Sequence, residues 1–334
     1  MSKVFFREAI IRAFVEEMTR DERVILLGQD IGAFGGSYKE TRGLHERFGA
    51  RRVRDMPVAE AATVGMAVGA AAAGLRPVGF ITYMDFLMLG LDPLVNYGAK
   101  VRYKTGGQLT APLVIKATAG AKGQGVAHSQ AIEAWLMSVP GLKVVVPSTP
   151  RDAYGLLKSA IRDDGPVVFV DHKRLFPTAG EVPEEEELIP LGLAALRREG
   201  KDLTIVSHGY MATQALQAAE RLAAEGVSTD MIDLRSLAPL DTEAVCASAA
   251  RTGAVLFVEE GQRTCGVGAE LAYVVRERDA HVRVARLAAV PAPISSNAVF
   301  EAFCLPDVER IREAALALLR SRNEAASTHS PRIS

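Results

Sequence analysis

Short runs of consecutive apolar residues are the feature that most constrains how this chain can fold. Such runs, largely apolar, lie at residues 24–28, 78–83, 113–117, 143–147 and 166–171, and further predicted strands lie at 203–207, 229–234, 254–259 and 284–290. Strands that alternate polar and apolar residues expose one face to water, whereas continuous runs are typical of strands buried on both faces of a parallel sheet. The pattern therefore predicts an α/β fold with helices on both sides of its sheets.

Segments with helical spacing fill the intervals between these runs, at residues 4–18, 60–74, 92–104, 150–161, 212–225, 241–252, 266–278 and 307–320. Strands that alternate with helices are typical of doubly wound sheets. Gly180, Pro183 and the acidic run 184–187 interrupt the series and indicate a solvated linker. We predict two doubly wound domains at residues 1–177 and 191–322, an acidic linker at 178–190 and a disordered tail at 323–334.

Composition limits the kinds of partner that the protein can bind and the cellular compartment in which it is expected. A net charge of -1 argues against nucleic-acid binding, which needs a basic surface. The three cysteines are scattered without a CxxC pair, so a reducing cytoplasm is expected, with neither a disulfide framework nor a zinc site. Residues 1–9 lack the apolar core of a signal peptide, and the apolar segment 61–75 is too short to span a bilayer. These features predict a cytoplasmic protein without membrane contact.

Motifs that bind phosphate or catalytic metal ions are absent from the sequence. It contains no GxxxxGK[ST], HExxH, GxSxG or EF-hand pattern, and the glycines of residues 32–36 do not form a GxGxxG fingerprint. The Gly266-Val267-Gly268 segment is interpreted as a helix-entry turn. Candidate functional residues must therefore be sought among polar side chains on glycine-rich loops.

Glu60 is the first candidate, because it begins a helix that carries no other charge before Arg76. A carboxylate at this place can simply favour the helix amino terminus through the macrodipole. It can also be a desolvated acid that shares its proton with a ligand. The residue pattern alone leaves these two readings about even.

His128 is the second candidate, since it joins the glycine-rich loop 119–126 to the next predicted helix. Loops that follow strand carboxyl ends line ligand crevices in doubly wound sheets, and histidine is suited to proton transfer. The aromatic residues of 80–86 could stack on a planar ring, although core packing explains each one taken alone. Lys173 and Arg174 follow a strand and are expected either to meet an anion or to be solvated.

Several linked motifs resemble one family, the β subunits of thiamine diphosphate-dependent 2-oxo-acid dehydrogenases. The motifs are Leu26-Leu27-Gly28-Gln29-Asp30, Met56-Pro57-Val58-Ala59-Glu60, Ala73-Gly74-Leu75-Arg76-Pro77-Val78, Ala127-His128-Ser129-Gln130, Pro140-Gly141-Leu142-Lys143-Val144-Val145 and Ser159-Ala160-Ile161-Arg162-Asp163. The resemblance covers nearly the whole chain. It implies a pyrimidine-binding domain followed by a transketolase-type carboxy-terminal domain.

The resemblance also implies roles for individual residues. Glu60 would bond the aminopyrimidine ring of thiamine diphosphate and promote its activation, Phe86 would pack on that ring, and His128 would lie near the reacting carbon. Gln29 stands where the family usually has Glu, at a position linked to proton exchange between two active sites. Family members hold a structural potassium ion through main-chain carbonyls at positions that match Leu113, Ala160, Ile161, Asp163 and Gly165 here.

Partners follow from the same resemblance. In this family the diphosphate and its Mg2+ are bound by an α subunit through a GDG…NN segment, and this chain has no such segment. We therefore expect an α2β2 heterotetramer and contact with a lipoylated acyltransferase core. The expected activity is oxidative decarboxylation of pyruvate or a branched-chain 2-oxo acid with acyl transfer to a lipoyl domain. Acetoin cleavage, a split transketolase-type activity and a non-catalytic scaffold are the alternatives.

Overall fold

The computed structural model describes residues 1–327, and their contacts divide the chain into two compact units. Unit 1 comprises Met1–Leu193, Arg235–Leu240 and Pro293–Asn297. Unit 2 comprises the rest, Ala194–Leu234, Asp241–Ala292 and the chain from Ala298 onward. Both units have the doubly wound α/β architecture that the apolar runs predict.

The strands of unit 1 are β1 (Ser2–Phe5), β2 (Val24–Gly28), β3 (Val53–Asp55), β4 (Arg76–Ile81), β5 (Val114–Ala119), β6 (Lys143–Val145), β7 (Val167–His172), β8 (Ala179–Val182) and, later in the chain, β12 (Ser236–Ala238). Its helices are α1 (Phe6–Arg20), α2 (Leu44–Phe48), α3 (Glu60–Ala72), α4 (Val101–Lys104), α5 (Glu133–Met137) and α6 (Pro150–Arg162), with a 3₁₀ helix at Met84–Gly90 and a π-helical segment at Pro93–Gly98.

Seven strands of unit 1 form one sheet in the order β12-β6-β7-β5-β4-β2-β3. All neighbours run parallel except β12, which pairs antiparallel with β6. The chain passes from β2 to β3 on one side and then returns to β4 on the other side, so the strand order reverses between β2 and β4. In doubly wound sheets ligands bind at the carboxyl ends of the strands that flank such a reversal.

Unit 2 contains β9 (Ala195–Arg198), β10 (Leu203–Ser207), α7 (Gly209–Ala224), β11 (Thr229–Asp233), α8 (Thr242–Thr252), β13 (Ala254–Gln262), α9 (Val267–Arg278), β14 (Arg283–Ala289), α10 (Ala298–Cys304) and α11 (Val308–Ser327). Its five strands have the order β14-β13-β10-β11-β9, and only β9 is antiparallel to its neighbour. Apolar side chains of β10, β13, α7 and α11 form one buried cluster in this unit.

Four details differ from the sequence predictions. The first helix begins at Phe6, because the preceding residues pair with β8. The predicted linker at 178–190 contains β8 itself and the buried Ile189, so it is only partly solvated, and its acidic residues 184–186 are among the exposed ones. The helix predicted at 92–104 is divided into the π-helical segment and α4. α11 continues through residues 323–327 of the predicted tail, and 328–334 lie outside the described residues.

Among residues 1–327, no helix is long and apolar enough to cross a membrane.

Candidate cofactor site in unit 1

The residues predicted to bind the cofactor or to act on it lie at the carboxyl edge of the unit 1 sheet, near the reversal of strand order, whereas Leu113 and Gly165 of the predicted potassium site precede β5 and β7 and lie at the opposite edge. Gln29 follows β2 directly, and the chain after β4 leads through Tyr83 into the 3₁₀ helix that carries Phe86. His128 belongs to the loop that follows β5. The topology therefore brings together residues that are about 100 positions apart in sequence, between Gln29 and His128.

Glu60 is the first residue of α3, and its side chain is half-buried. The preceding residue, Ala59, has no side-chain group that could cap the helix. Within the described part of the chain, the Glu60 carboxylate makes no hydrogen bond and no ion pair. The chain on its own thus desolvates Glu60 only partly. The carboxylate lies at the positive end of the helix dipole.

Phe86, His128 and Tyr83 form an aromatic cluster with edge-to-face geometry. The His128 ring centroid lies 4.5 Å from that of Tyr83 and 5.3 Å from that of Phe86, with interplanar angles of 87° and 80°. All three side chains are half-buried, so each keeps part of its surface available to a ligand. Phe80 instead packs in the core against Phe14, in agreement with the core-packing interpretation of the aromatic residues 80–86.

Asp85 is a buried acid beside this cluster that sequence reasoning did not single out. Its Oδ1 accepts a hydrogen bond from the backbone N–H of Gln130 at 3.2 Å. Burial raises the pKa of the Asp85 carboxyl, while the same backbone bond and the charges of Lys173 and His128 act in the opposite direction. The only signal in the sequence was an acid placed between Met84 and Phe86, in a segment interpreted as aromatic packing.

The loop that carries His128 is held by the three residues at and after the end of β7. The Lys173 side chain is fully buried, and its Nζ donates to the carbonyl oxygens of Gly120, at 2.7 Å, and of His128. Arg174 Nε donates to the carbonyl of Ala121 at 2.8 Å. Lys173 and Arg174 therefore both donate hydrogen bonds to loop carbonyls, where the sequence suggested an anion or solvent as their partner.

Gln29 is half-buried and donates from Nε2 to Oδ2 of the exposed Asp30 at 3.0 Å. Asp30 adopts a left-handed backbone conformation, with φ of 57°, which turns the chain sharply after β2. An ionisable carboxylate therefore lies next to the neutral amide, at the place where the resemblance leads one to expect an acid.

A second buried polar cluster lies in the middle of the same sheet. Lys116 on β5 forms an ion pair with Asp171 on β7 at 2.6 Å and lies 3.7 Å from Glu40. Burial raises the pKa of the Glu40 carboxyl, against the attraction of Lys116. Sequence reasoning missed this cluster because Lys116 sits within an otherwise apolar run.

The carbonyls proposed for potassium surround the carboxyl end of α6. The carbonyl oxygens of Ile161 and Asp163 both accept hydrogen bonds from Nη1 of Arg76, at 3.0 Å and 2.9 Å. Leu113 O accepts from the amide of Val167 at 2.9 Å. These oxygens are the acceptors that a hard cation prefers, and each keeps a second lone pair. These residues therefore fit a potassium ion if the carbonyl oxygens bind the ion and the Arg76 guanidinium at the same time.

An open cleft of about 860 Å³ lies beside this region, and Asp163, Gly165, Lys143, Arg102 and Tyr103 are among its lining residues. Within residues 1–327, no group of three or more His, Cys, Asp and Glu side chains is arranged to hold a metal ion.

Comparison with known proteins defines the class. Residues 2–178 match the family described as "Transketolase, pyrimidine binding domain", and residues 192–311 match "Transketolase, C-terminal domain". A solved structure titled "Split gene transketolase, inactive beta4 tetramer" aligns with a TM-score of 0.80 at 25% identity, covering 95% of this chain and 99% of that one. The fold and the site thus define a two-domain protein of the transketolase type.

Relatives narrow the class further. The chain is 42% identical to the 2-oxoisovalerate dehydrogenase subunit beta of Bacillus subtilis, over 88% of this chain and 91% of the relative. It is 43% identical to the pyruvate dehydrogenase E1 component subunit beta of Porphyra purpurea, over 90% and 92%. A mitochondrial pyruvate dehydrogenase E1 beta subunit of Arabidopsis thaliana is 42% identical over 95% and 90%. The chain belongs to the family of 2-oxo acid dehydrogenase E1 beta subunits, as its motifs predicted.

Proposed function

We propose that this chain is the β subunit of a thiamine diphosphate-dependent enzyme that decarboxylates a 2-oxo acid oxidatively and transfers the acyl group to a lipoyl domain. Residues 1–177 serve as the pyrimidine-binding domain and residues 191–322 as the carboxy-terminal domain. The observation that carries the proposal is the Glu60 carboxylate, which makes no hydrogen bond or ion pair within residues 1–327 and lies at the start of α3 in a chain of this family.

Three residues suit the cofactor. Glu60 offers an acceptor oxygen for a proton on the pyrimidine ring, and Phe86 offers an aromatic face to the same ring. Gln29 follows β2 at the reversal of strand order, where ligands of such sheets bind. When bound, thiamine diphosphate supplies the nucleophilic carbon and the electron sink for decarboxylation.

Each polar residue has a defined task. Glu60 shares a proton between its carboxylate and the ring nitrogen of the pyrimidine. This hydrogen bond becomes stronger when a partner subunit excludes the remaining water from the site. His128 moves a proton at the reacting group through its imidazole, in an orientation set by the rings of Tyr83 and Phe86.

Gln29 cannot relay a proton as a carboxylate does. We propose that Asp30, which accepts a hydrogen bond from Gln29, supplies the acid for proton exchange between sites, or that this exchange is weak. If the exchange is weak, Gln29→Glu should change the relative rates at which the two sites of the assembled enzyme are activated by cofactor, as followed by stopped-flow circular dichroism. Identical activation kinetics in the wild type and the variant would rule out weak exchange and leave Asp30 as the acid.

An α subunit is the proposed partner, in an α2β2 heterotetramer that binds a lipoylated acyltransferase core. α3 buries one side against its own sheet, through Thr63, Val64, Ala67 and Ala71. Its other side is exposed although it is apolar, and consists of Ala61, Ala62, Met66, Gly69 and Ala72. An exposed apolar face of this kind marks an interaction site. The α subunit would also hold the diphosphate and Mg2+, because this chain lacks the GDG…NN segment.

The substrate is assigned to a class rather than to a compound. The pyruvate and 2-oxoisovalerate relatives are 43% and 42% identical, so similarity does not rank one substrate over the other. Acetoin cleavage by the same chemistry is the second candidate, because it uses the same Glu60 and His128. A cytoplasmic location is proposed from the three cysteines, none of which forms a disulfide in the described chain.

The test is reconstitution of the chain with an α subunit that carries GDG…NN. The complex should decarboxylate pyruvate or a branched-chain 2-oxo acid, or cleave acetoin, in a panel assay with lipoyl acceptor. Glu60→Gln should lower kcat at least about 1000-fold, since the amide cannot share the proton, while the assembled complex elutes unchanged on size exclusion. Full activity in Glu60→Gln would refute the proposed mechanism.

A further inference from the structure

Lys173 is a buried cation whose role is not explained by the site residues described so far. It follows β7, its side chain has no exposed surface, and its Nζ bonds to the carbonyls of Gly120 and His128. Removing an ammonium group from water is costly unless its hydrogen-bonding capacity is satisfied. The two carbonyls belong to opposite ends of one loop, so the buried charge links those ends.

The loop between these carbonyls has little regular structure of its own. Gly120, Gly123 and Gly125 all adopt positive φ, and the internal backbone bond within the loop runs from His128 N to Gly125 O at 3.1 Å. Glycine is the residue with the largest conformational freedom, so such a loop samples many arrangements unless it is tethered. Lys173 supplies that tether at both ends.

The neighbours of Lys173 reinforce the tether. A Cβ added at Gly120 would lie 1.7 Å from Nε2 of His172, so the loop backbone packs directly on the residue before Lys173. Arg174, on the other side, bonds the carbonyl of Ala121. Three consecutive basic residues thus fix the start of the loop, and Lys173 also bonds the His128 carbonyl at its end.

Lys173 also touches the aromatic cluster. Its Nζ lies 5.0 Å from the centroid of the Tyr83 ring, and that ring packs edge-to-face on the imidazole of His128. A desolvated cation over a tyrosine face is attracted by the negative face of the ring. The ammonium therefore acts on His128 by two routes, through its carbonyl and through the ring that orients its side chain.

Another buried lysine provides a contrast. Lys158 on α6 is 1% exposed, and its ammonium pairs with the carboxylates of Glu16 and Glu186. That arrangement is an ion-pair network between elements. Lys173 directs its hydrogen bonds to the carbonyls of a glycine-rich loop that carries a proposed proton-transfer residue, which is the arrangement expected of a positioning group.

We propose that Lys173 is a positioning residue that fixes loop 120–128 and thereby sets the place and orientation of the His128 imidazole. Its consequence for turnover rests on the function proposed above, whereas its effect on the loop does not. A displacement of about 1 Å in a reacting group can lower a rate by about 100-fold. Loss of the tether should therefore impair catalysis without removing any group that contacts the cofactor.

The first test measures the loop in the full-length chain, with no need for activity. Lys173→Met should increase amide hydrogen exchange of a peptide spanning residues 119–130 by about tenfold or more, because two carbonyls lose their donor. Lys158→Met is the matched control: it removes an equally buried lysine and should leave exchange of that peptide unchanged. Equal exchange of the peptide in Lys173→Met and the wild type would overturn the proposal.

The second test uses the reconstituted enzyme. Lys173→Met should lower kcat about 10- to 100-fold with little change in the Kd for thiamine diphosphate, and in a His128→Ala background it should lower kcat less than about twofold further. Fully multiplicative losses would show that Lys173 acts independently of His128 and would contradict the proposal.

Two further outcomes are distinguishable. If Lys173→Met does not fold, Lys173→Gln retains an N–H donor of shorter reach, and the same exchange and double-mutant criteria apply to it. If the wild-type complex turns over no 2-oxo acid and no acetoin, the proposed function fails, while the exchange experiment still decides whether Lys173 holds the loop.

Discussion

At the scale of the residue, burial decides which ionisable groups depart from their ordinary behaviour. Asp85, Glu40 and Glu259 are buried carboxyls, and burial raises the pKa of each. Glu259 belongs to β13, and its carboxylate accepts hydrogen bonds from the amides of Val267, at 2.8 Å, and Gly268, at 3.1 Å. It thus caps α9 from within the core of unit 2.

The Glu259 carboxyl gives a prediction for stability against pH. Because burial raises its folded-state pKa above the unfolded one, the folded state binds this proton more tightly. The protonated carboxyl therefore stabilises the folded state fully below the usual glutamate pKa, and this stabilisation is lost as pH rises through the folded-state pKa. The loss amounts to about 1.4 kcal/mol for each tenfold difference in proton affinity between the two states. Glu259→Gln should remove this part of the pH dependence.

Urea unfolding followed by circular dichroism, from about pH 5 to pH 8, measures the effect. The wild type should lose more unfolding free energy over this interval than Glu259→Gln does. Glu270→Gln is the control: Glu270 is an exposed residue of α9, the helix that Glu259 caps, and its variant should follow the wild type. Parallel curves for the wild type and Glu259→Gln would contradict the prediction.

At the scale of the element, α3 combines two functions on opposite sides. Its inner side packs on the sheet of unit 1, and its outer side presents small apolar residues to solvent. A Cβ added at Gly65 or Gly69 would meet no atom within 4 Å in this chain. The space beside these glycines is therefore open, which suits the close approach of a second backbone.

A substitution on this outer side should separate folding from assembly. Gly69→Leu adds a side chain into open space and improves helix propensity, so the chain should fold with unchanged or higher Tm. At a packed interface, overpacking costs about 1–3 kcal/mol, which corresponds to about 5- to 150-fold weaker binding of the α subunit.

This expectation is tested by size-exclusion chromatography with light scattering, applied to the chain alone and to its mixtures with the α subunit. Ala250→Leu, on an exposed position of α8, is the control and should assemble normally. Normal assembly of Gly69→Leu would exclude the outer side of α3 as the docking surface. Loss of a homotetramer of this chain, with unchanged binding of the α subunit, would instead assign the surface to a second copy.

At the scale of the whole molecule, the potassium site would join the residue that precedes β5 with residues of α6 and of the turn that follows α6. A cation there would add to Arg76 in satisfying the carbonyls at the end of α6. Ligands that bind only the folded state stabilise it by RT ln(1 + [L]/Kd), about 2.7 kcal/mol at 100-fold excess over Kd.

Potassium should therefore raise the Tm of the chain by a few degrees relative to sodium at equal ionic strength. Differential scanning fluorimetry over a range of KCl concentrations, balanced with NaCl, measures this shift. Tm values that coincide in the two salts would argue that the Arg76 guanidinium alone satisfies these carbonyls.

The sequence by itself determined the architecture, since continuous apolar runs such as 24–28, separated by segments with helical spacing, are typical of strands in a sheet covered on both faces. Linked motifs also identified the family, and the resemblance predicted roles for Glu60, Phe86 and His128. Boundaries and irregular elements were less predictable: the β1–β8 pair depends on hydrogen bonds between residues about 180 positions apart, as in Ser2 with Val182.

Only the tertiary structure decided how the site is supported. Lys173 and Asp85 are charged residues in the sequence like any others, and their meaning lies in burial and in partners from distant strands and loops. The half-buried state of Glu60 is likewise a property of packing, because an apolar helix predicts burial only where something covers it. Local pattern specifies which elements form, whereas contacts between elements decide which charges lose water and therefore what they can do.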